Sequence, residues 1–105
     1  MIFNSSNDIK CDIVDKISEH MIYCISNNQV IDRNNIISLI RTYLHELKIR
    51  KFINKYDVDK LDGNILINFE YNNESNNINI DLYNQLRKLK IKKICKNIDS
   101  NFVIL

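Results

Sequence analysis

The sequence predicts an α+β fold in which two antiparallel helices pack on a small antiparallel sheet, a hairpin, with a C-terminal short helix or tail. Two segments, 9–25 and 36–47, repeat apolar residues every three to four positions, which is the spacing of an amphipathic helix. Two later segments, 65–71 and 78–82, alternate apolar and polar residues, as half-buried strands do. The 105 residues are enough for one domain, 1–105.

The first helix is predicted over residues 8–26, because the polar run Ser26-Asn27-Asn28-Gln29 then interrupts its apolar stripe. Ser5 and Asp8 have the spacing of a capping box, in which each side chain satisfies a free backbone N–H of the first turn. The buried face of this helix is predicted to include Ile13, Ile17 and Met21.

The second helix is predicted over residues 33–50, with Asp32 as its N-cap. Ile31 precedes that cap and Ile36 follows four residues later, which is the spacing of a hydrophobic staple. Two such helices cannot bury both apolar stripes alone, so a further layer must cover them. The predicted core positions of this helix include Ile36, Ile40, Leu44 and Leu47.

The covering layer is the predicted hairpin. The only glycine, Gly63, lies in the turn signal Asp62-Gly63-Asn64 before the first alternating run, and a polar loop over 72–76 separates the two runs. Tyr56 and Val58 are candidates for a short strand before the hairpin. The predicted core positions of the sheet are Ile65, Ile67, Phe69, Ile78, Ile80 and Leu82.

The C-terminal segment carries two apolar faces. Leu82, Leu86 and Leu89 share one helical face, whereas the apolar residues of 91–98 lie roughly opposite. One straight helix cannot bury both faces, so we expect a short helix followed by a change of direction. Residues 102–105 are predicted to form a terminal strand or a docking tail.

The composition is strongly skewed. There are 20 Ile, 17 Asn and 11 Lys, whereas Ala and Pro are absent, which is typical of a very AT-rich genome such as that of a phage, a virus or a low-GC bacterium. Three widely spaced cysteines argue against a disulfide framework, and no apolar run reaches the roughly 18 residues that span a bilayer. We expect an intracellular protein, in a host cytoplasm or a virion, without a membrane partner.

No catalytic or cofactor signature is present in the sequence. A single glycine excludes phosphate-binding glycine loops and the G-x-S-x-G elbow of a serine nucleophile. His20 and Cys24 are one loose pair, with Cys11, His45 and Cys95 elsewhere, whereas zinc sites usually have two close pairs of ligands. The sequence therefore predicts a protein that is not an enzyme, with no cofactor and no metal.

The strongest local feature is a basic run at 87–96, which holds no acidic residue. Such a run can bind nucleic acid by neutralising phosphates, as in a small winged-helix-like regulator, or it can be a solvated helix face. Nucleic acid is therefore an alternative partner. The candidate nucleic-acid-binding residues are Arg87, Lys88, Lys90, Lys92, Lys93 and Lys96.

The predicted hairpin offers a different kind of site. An exposed edge strand presents unpaired N–H and C=O groups that can add to the sheet of a neighbour, unless the C-terminal tail covers it. A protein partner or a homo-oligomer is therefore the leading expectation, and inhibition of a host enzyme stays an open alternative.

The spacing of three motifs is similar to that of the C-terminal module of contractile phage tail sheath proteins. The motifs are Asn27-Asn28-Gln29-Val30-Ile31-Asp32-Arg33, Ile36-Ile37-x-x-Ile40-x-x-Tyr43-Leu44 and Arg50-x-x-Ile53-x-x-Tyr56-x-Val58. The resemblance covers about residues 18–82 and implies two helices, an extended segment and a strand hairpin. It also implies a small virion or tail-associated structural protein that assembles by sharing strands or packing helices.

Overall fold

The computed structural model describes residues 3–91 and 104–105, and its helices and strands confirm the predicted α+β class. The strands form one antiparallel sheet of order β1-β2-β3. The elements in chain order are α1 (Ser6–Ser26), α2 (Arg33–Ile49), β1 (Tyr56–Leu61), β2 (Asn64–Tyr71), β3 (Glu74–Ile80) and α3 (Leu82–Ile91).

Helix α1 begins two residues earlier than predicted, and its capping box is wrong. Ser5 is the N-cap, but its side chain caps no backbone N–H. Asp8 instead accepts a hydrogen bond from the backbone N–H of Asn4 at 2.7 Å, one residue before the group that a capping box would satisfy. Its carboxylate still lies in the first turn, where negative charge is favourable to a helix.

Helix α2 begins as its sequence predicts. The Asp32 carboxylate accepts the N–H of Asn34 at 2.8 Å, and Ile31 and Ile36 are both fully buried. The two helices are antiparallel, since the early α1 residue Asp12 bonds to Tyr43 late in α2. The Tyr43 hydroxyl donates to the Asp12 carboxylate at 2.9 Å.

Both strand connections are two-residue turns with positive φ. Asp62 and Gly63 have φ of 50° and 84°, and Asn72 and Asn73 have φ of 51° and 63°, as type I′ hairpin turns require. The predicted polar loop over 72–76 is therefore too long, and Glu74–Asn76 belong to β3. Asparagine tolerates the left-handed region, so an Asn-Asn pair can close a hairpin without glycine.

The predicted helix core is confirmed, because all seven of its positions are buried in one apolar cluster. The predicted sheet core needs two corrections. Leu82 is buried but begins α3 instead of ending β3, and Ile78 is only half-buried against the cluster. The chain turns out of the sheet at Asp81, whose carboxylate and carbonyl accept N–H groups of the first turn of α3, as an N-cap does.

The C-terminal predictions are confirmed where the structure describes them. Leu82, Leu86 and Leu89 form the buried face of α3, and the expected change of direction lies outside the described residues. Ile104 is buried, and the last two residues pair with the segment between α1 and α2. The Leu105 N–H donates to the Ile31 carbonyl at 2.8 Å, and the Leu105 carbonyl accepts the Arg33 N–H at 2.6 Å. Ile104 and Leu105 therefore form a docking tail.

Candidate protein-interaction edge

The sheet has two outer strands, β1 and β3, and the hydrogen-bond alternation of antiparallel pairs shows where their backbone groups point. A two-residue turn is flanked by a hydrogen-bonded pair, here Leu61 with Asn64. From that pair, alternate residues of β1 bond to β2. The N–H and C=O groups of Tyr56, Val58 and Lys60 therefore point away from the sheet.

Helix α2 covers this outer edge of β1. The Arg41 guanidinium donates from Nη2 to the Val58 carbonyl oxygen at 2.7 Å, which satisfies an outward acceptor near the middle of the strand. His45 lies one turn further along α2, and its Nδ1 is 3.1 Å from the Tyr56 hydroxyl. An added strand would have to displace these contacts, so β1 is a closed edge.

The outer edge of β3 has no such cover in the described part of the chain. Tyr71 and Glu74 flank the second turn as a hydrogen-bonded pair, so the backbone groups of Ser75, Asn77 and Asn79 point outward. These three residues are exposed, and within residues 3–91 and 104–105 their outward groups have no backbone partner. We call this row of outward groups the β3 edge.

The side chains of β3 do not protect its edge. Natural edge strands are commonly blocked by lysine, proline or a bulge, and β3 contains none of the three over Glu74–Ile80. Glu74 at the turn is its only charged residue. Strand β1, by contrast, carries Asp57, Asp59 and Lys60. The less charged strand is therefore also the one whose backbone no residue of 3–91 or 104–105 covers.

Asp57 and Asp59 lie two residues apart, so their side chains share the solvent-exposed face of β1. The pKa of Asp59 is raised, first because its carboxyl hydrogen-bonds to Asp57 and second because of the negative charge of Asp57. Nearby Arg41 opposes the shift. Negative charge on both carboxyls of this face is therefore unfavourable.

The structure describes part of the predicted nucleic-acid-binding run. Arg87 and Lys88 lie next to each other on α3 and are exposed. Lys90 also belongs to α3. Lys92, Lys93 and Lys96 lie outside the described residues.

The candidate metal and thiol residues do not converge in the described residues. His20 Nε2 is 3.5 Å from the Cys24 sulfur, whereas His45 lies against β1 and Cys11 is exposed on α1. Burial raises the pKa of the Cys24 thiol, which disfavours the thiolate that a metal or a nucleophile needs. No group of three potential ligands occurs within residues 3–91 and 104–105.

Sequence reasoning expected an exposed edge but did not identify which strand provides it. The missed residues are Arg41, which closes β1, and the pair Asn72-Asn73, which extends β3 to Glu74. The Asn72-Asn73 turn had a local signal, since it is an Asn-Asn pair between two alternating runs. Arg41 had none, because an arginine on a helix surface shows its acceptor only after the sheet has packed.

In comparisons with known proteins, no protein-family model, no curated protein and no solved structure matches the chain. Among the described residues, no helix combines the length and the apolar character that crossing a membrane requires.

Proposed function

We propose that the chain is a non-catalytic assembly protein that binds a protein partner by strand addition at the β3 edge. The observation that carries this proposal is the contrast between the two edges of the sheet. Arg41 closes β1, whereas the outward groups of Ser75, Asn77 and Asn79 have no backbone partner in the described residues. An added strand would satisfy these groups with main-chain hydrogen bonds.

A phage or viral origin belongs to the same proposal. It is supported by the AT-rich composition, with its 20 Ile and 17 Asn, and by the resemblance of residues 18–82 to a tail sheath module. In that setting the chain would act in a host cytoplasm or as a component of a virion, and helix packing would accompany the strand pairing.

The test is the variant Asn77→Pro. Proline removes the outward N–H at the centre of the edge and its ring obstructs a neighbour, but the bonds between β3 and β2 come from other residues. We expect the wild-type chain to be recovered in an assembly larger than the monomer, at low and high salt alike. We expect Asn77→Pro to be recovered as a monomer, as measured by size exclusion with light scattering.

Two further variants control this experiment. Asn77→Lys blocks the edge with a charge without changing the backbone, so it must also be monomeric even if the proline variant folds poorly. Asn68→Lys places the same charge in the central strand, whose backbone is already paired on both sides, and must leave the assembly intact. A wild-type chain that is monomeric at high concentration and in its native source contradicts the proposal.

A second candidate is nucleic-acid binding through the basic run, supported by the exposure of the adjacent Arg87 and Lys88 on α3. Binding that rests on phosphate neutralisation falls steeply with salt, unlike strand addition. The variant Lys88→Glu, Lys90→Glu, Lys92→Glu, Lys93→Glu should abolish binding to DNA and RNA in a filter or anisotropy assay. Unchanged binding in that variant excludes this candidate.

A further inference from the structure

We propose that the strand added at the β3 edge is β3 of a second copy, paired antiparallel about a two-fold axis that passes between the two Asn77 residues. This inference rests on the proposed strand addition and names its partner. The outward positions of β3 are Ser75, Asn77 and Asn79, an odd number spaced evenly about the middle one. Reversing the strand about Asn77 therefore returns the same set of positions.

The backbone bonds favour this axis over the neighbouring one at Ile78. With the axis at Asn77, that residue pairs with its own copy and Ser75 pairs with Asn79, so every outward residue exchanges both of its hydrogen bonds. Moving the axis to Ile78 pairs Asn77 with Asn79 and leaves Ser75 opposite Asp81. The Asp81 carbonyl already accepts the Gln85 N–H at 3.1 Å, so that register satisfies fewer groups.

The side chains of β3 are compatible with this self-pairing. Glu74 is the only charged residue of the strand, and it lies opposite Ile80 of the other copy instead of the other Glu74. Like charges directly opposite each other would be destabilising, and this register places none there. On the exposed face, Ser75 meets Asn79 and Asn77 meets Asn77, so hydroxyl and amide groups can bond across the interface.

The second copy would also bury more apolar surface on the core-facing side of β3. Ile78 is only half-buried in the single chain, although it packs against the core cluster. In the Asn77 register it lies beside Asn76 of the other copy, and the sheet becomes continuous across the interface. Burial of apolar side chain at this position adds to the main-chain bonds.

The test uses engineered cysteines in a Cys11→Ser, Cys95→Ser background, which keeps only the buried Cys24 of the native thiols. Residues in a hydrogen-bonded antiparallel pair have Cα atoms about 5.5 Å apart, within the range that a disulfide spans. Asn77→Cys should therefore give a covalent dimer on a non-reducing gel after mild oxidation.

The register is tested by mixing. Ser75→Cys alone should remain uncrosslinked, since its two copies would lie on the order of 14 Å apart along the strands. Mixed with Asn79→Cys, it should form the dimer. Crosslinking of Asn77→Cys only to Asn79→Cys would overturn the Asn77 axis. A different result would show that the partner is not a second copy: the purified wild-type chain is monomeric but still enters a native assembly, and Asn77→Pro abolishes that entry. Strand addition to another protein would then still hold.

Discussion

At the scale of single residues, the Arg41 side chain blocks the β1 edge of the sheet. It extends from the exposed side of α2 to the Val58 carbonyl, so a helix side chain takes the place of a neighbouring strand. This bond has two consequences, one for stability and one for association.

We expect Arg41→Met to open the β1 edge. The loss of a charged donor to Val58 should lower the free energy of unfolding by about 1 kcal/mol, as measured by urea denaturation. With β1 and β3 both open, chains can add at two edges, so light scattering should show species larger than those of the wild type.

Arg50→Met is the matched control, because it removes the same charge from the end of α2. Among the described residues, the Arg50 side chain makes only an exposed ion pair with Glu46 at 3.1 Å, and such pairs contribute little. Equal behaviour of the two variants would show that Arg41 does not close the edge.

The Asp57 and Asp59 pair predicts a pH dependence. Because Asp57 raises the pKa of Asp59 in the folded chain, folding favours the protonated carboxyl, and the pair lowers stability above that pKa. Asp57→Asn should therefore raise the midpoint of thermal unfolding at pH 7. The gain should disappear as the pH falls below the ordinary carboxyl range, about pH 4.

Asp15→Asn, on the exposed face of α1, makes the same change of charge away from this pair. If both variants shift the midpoint equally across the pH range, the effect is one of net charge and the paired carboxylates are not its cause.

At the scale of elements, the two type I′ turns determine the length and register of the strands. Asn73 has φ of 63°, a conformation that costs most residues about 1 kcal/mol but suits glycine. Asn73→Ala should lower the free energy of unfolding by about that amount, and Asn73→Gly should raise it. The exposed neighbour Ser75 provides the control, since Ser75→Ala has no positive φ to accommodate.

The helices were the most predictable elements because their signals are local. The apolar stripe of α2, its Asp32 cap and its Ile31–Ile36 staple all lie within a few turns of one another. The strand β3 was less predictable. Its first residues are polar on both faces, so alternation alone could not separate Glu74–Asn76 from a loop. The register, which depends on the Asn72-Asn73 turn, resolves that ambiguity.

At the scale of the whole molecule, Arg33 joins three distant parts of the chain. Its Nε donates to the Gly63 carbonyl at 2.7 Å and its Nη1 to the Ile104 carbonyl at 3.2 Å. The Tyr83 hydroxyl accepts the Ile104 N–H at 3.2 Å. Arg33 therefore connects the docking tail to the first hairpin turn, and Tyr83 connects the tail to α3.

The last two residues allow a matched test of this docking. Ile104 is 3% exposed and Leu105 is 61% exposed, although they are adjacent and similar in size. Ile104→Ala should lower the free energy of unfolding by about 3 kcal/mol, as buried isoleucine truncations do. Leu105→Ala should change it by less than about 0.5 kcal/mol. Similar losses for the two variants in urea denaturation would contradict the docking of the tail.

The candidate site was less predictable than the fold, because an open edge is a property of the assembled molecule. Sequence patterns indicated a hairpin, and a hairpin has two edges. Which edge is covered depends on how α2 packs against β1, and on the tail, which pairs with Ile31 and not with β3 in the described residues. Neither packing has a local signature in the sequence.

Residue-resolved amide hydrogen exchange tests the central proposal most directly. In dilute protein, the amides of Ser75, Asn77 and Asn79 should exchange rapidly, whereas those of Asn76 and Ile78, bonded to β2, should be protected. Raising the protein concentration, or adding a protein partner, should protect the first set selectively. Slow exchange of Asn77 in the dilute monomer, or unchanged exchange on association, would contradict the proposal.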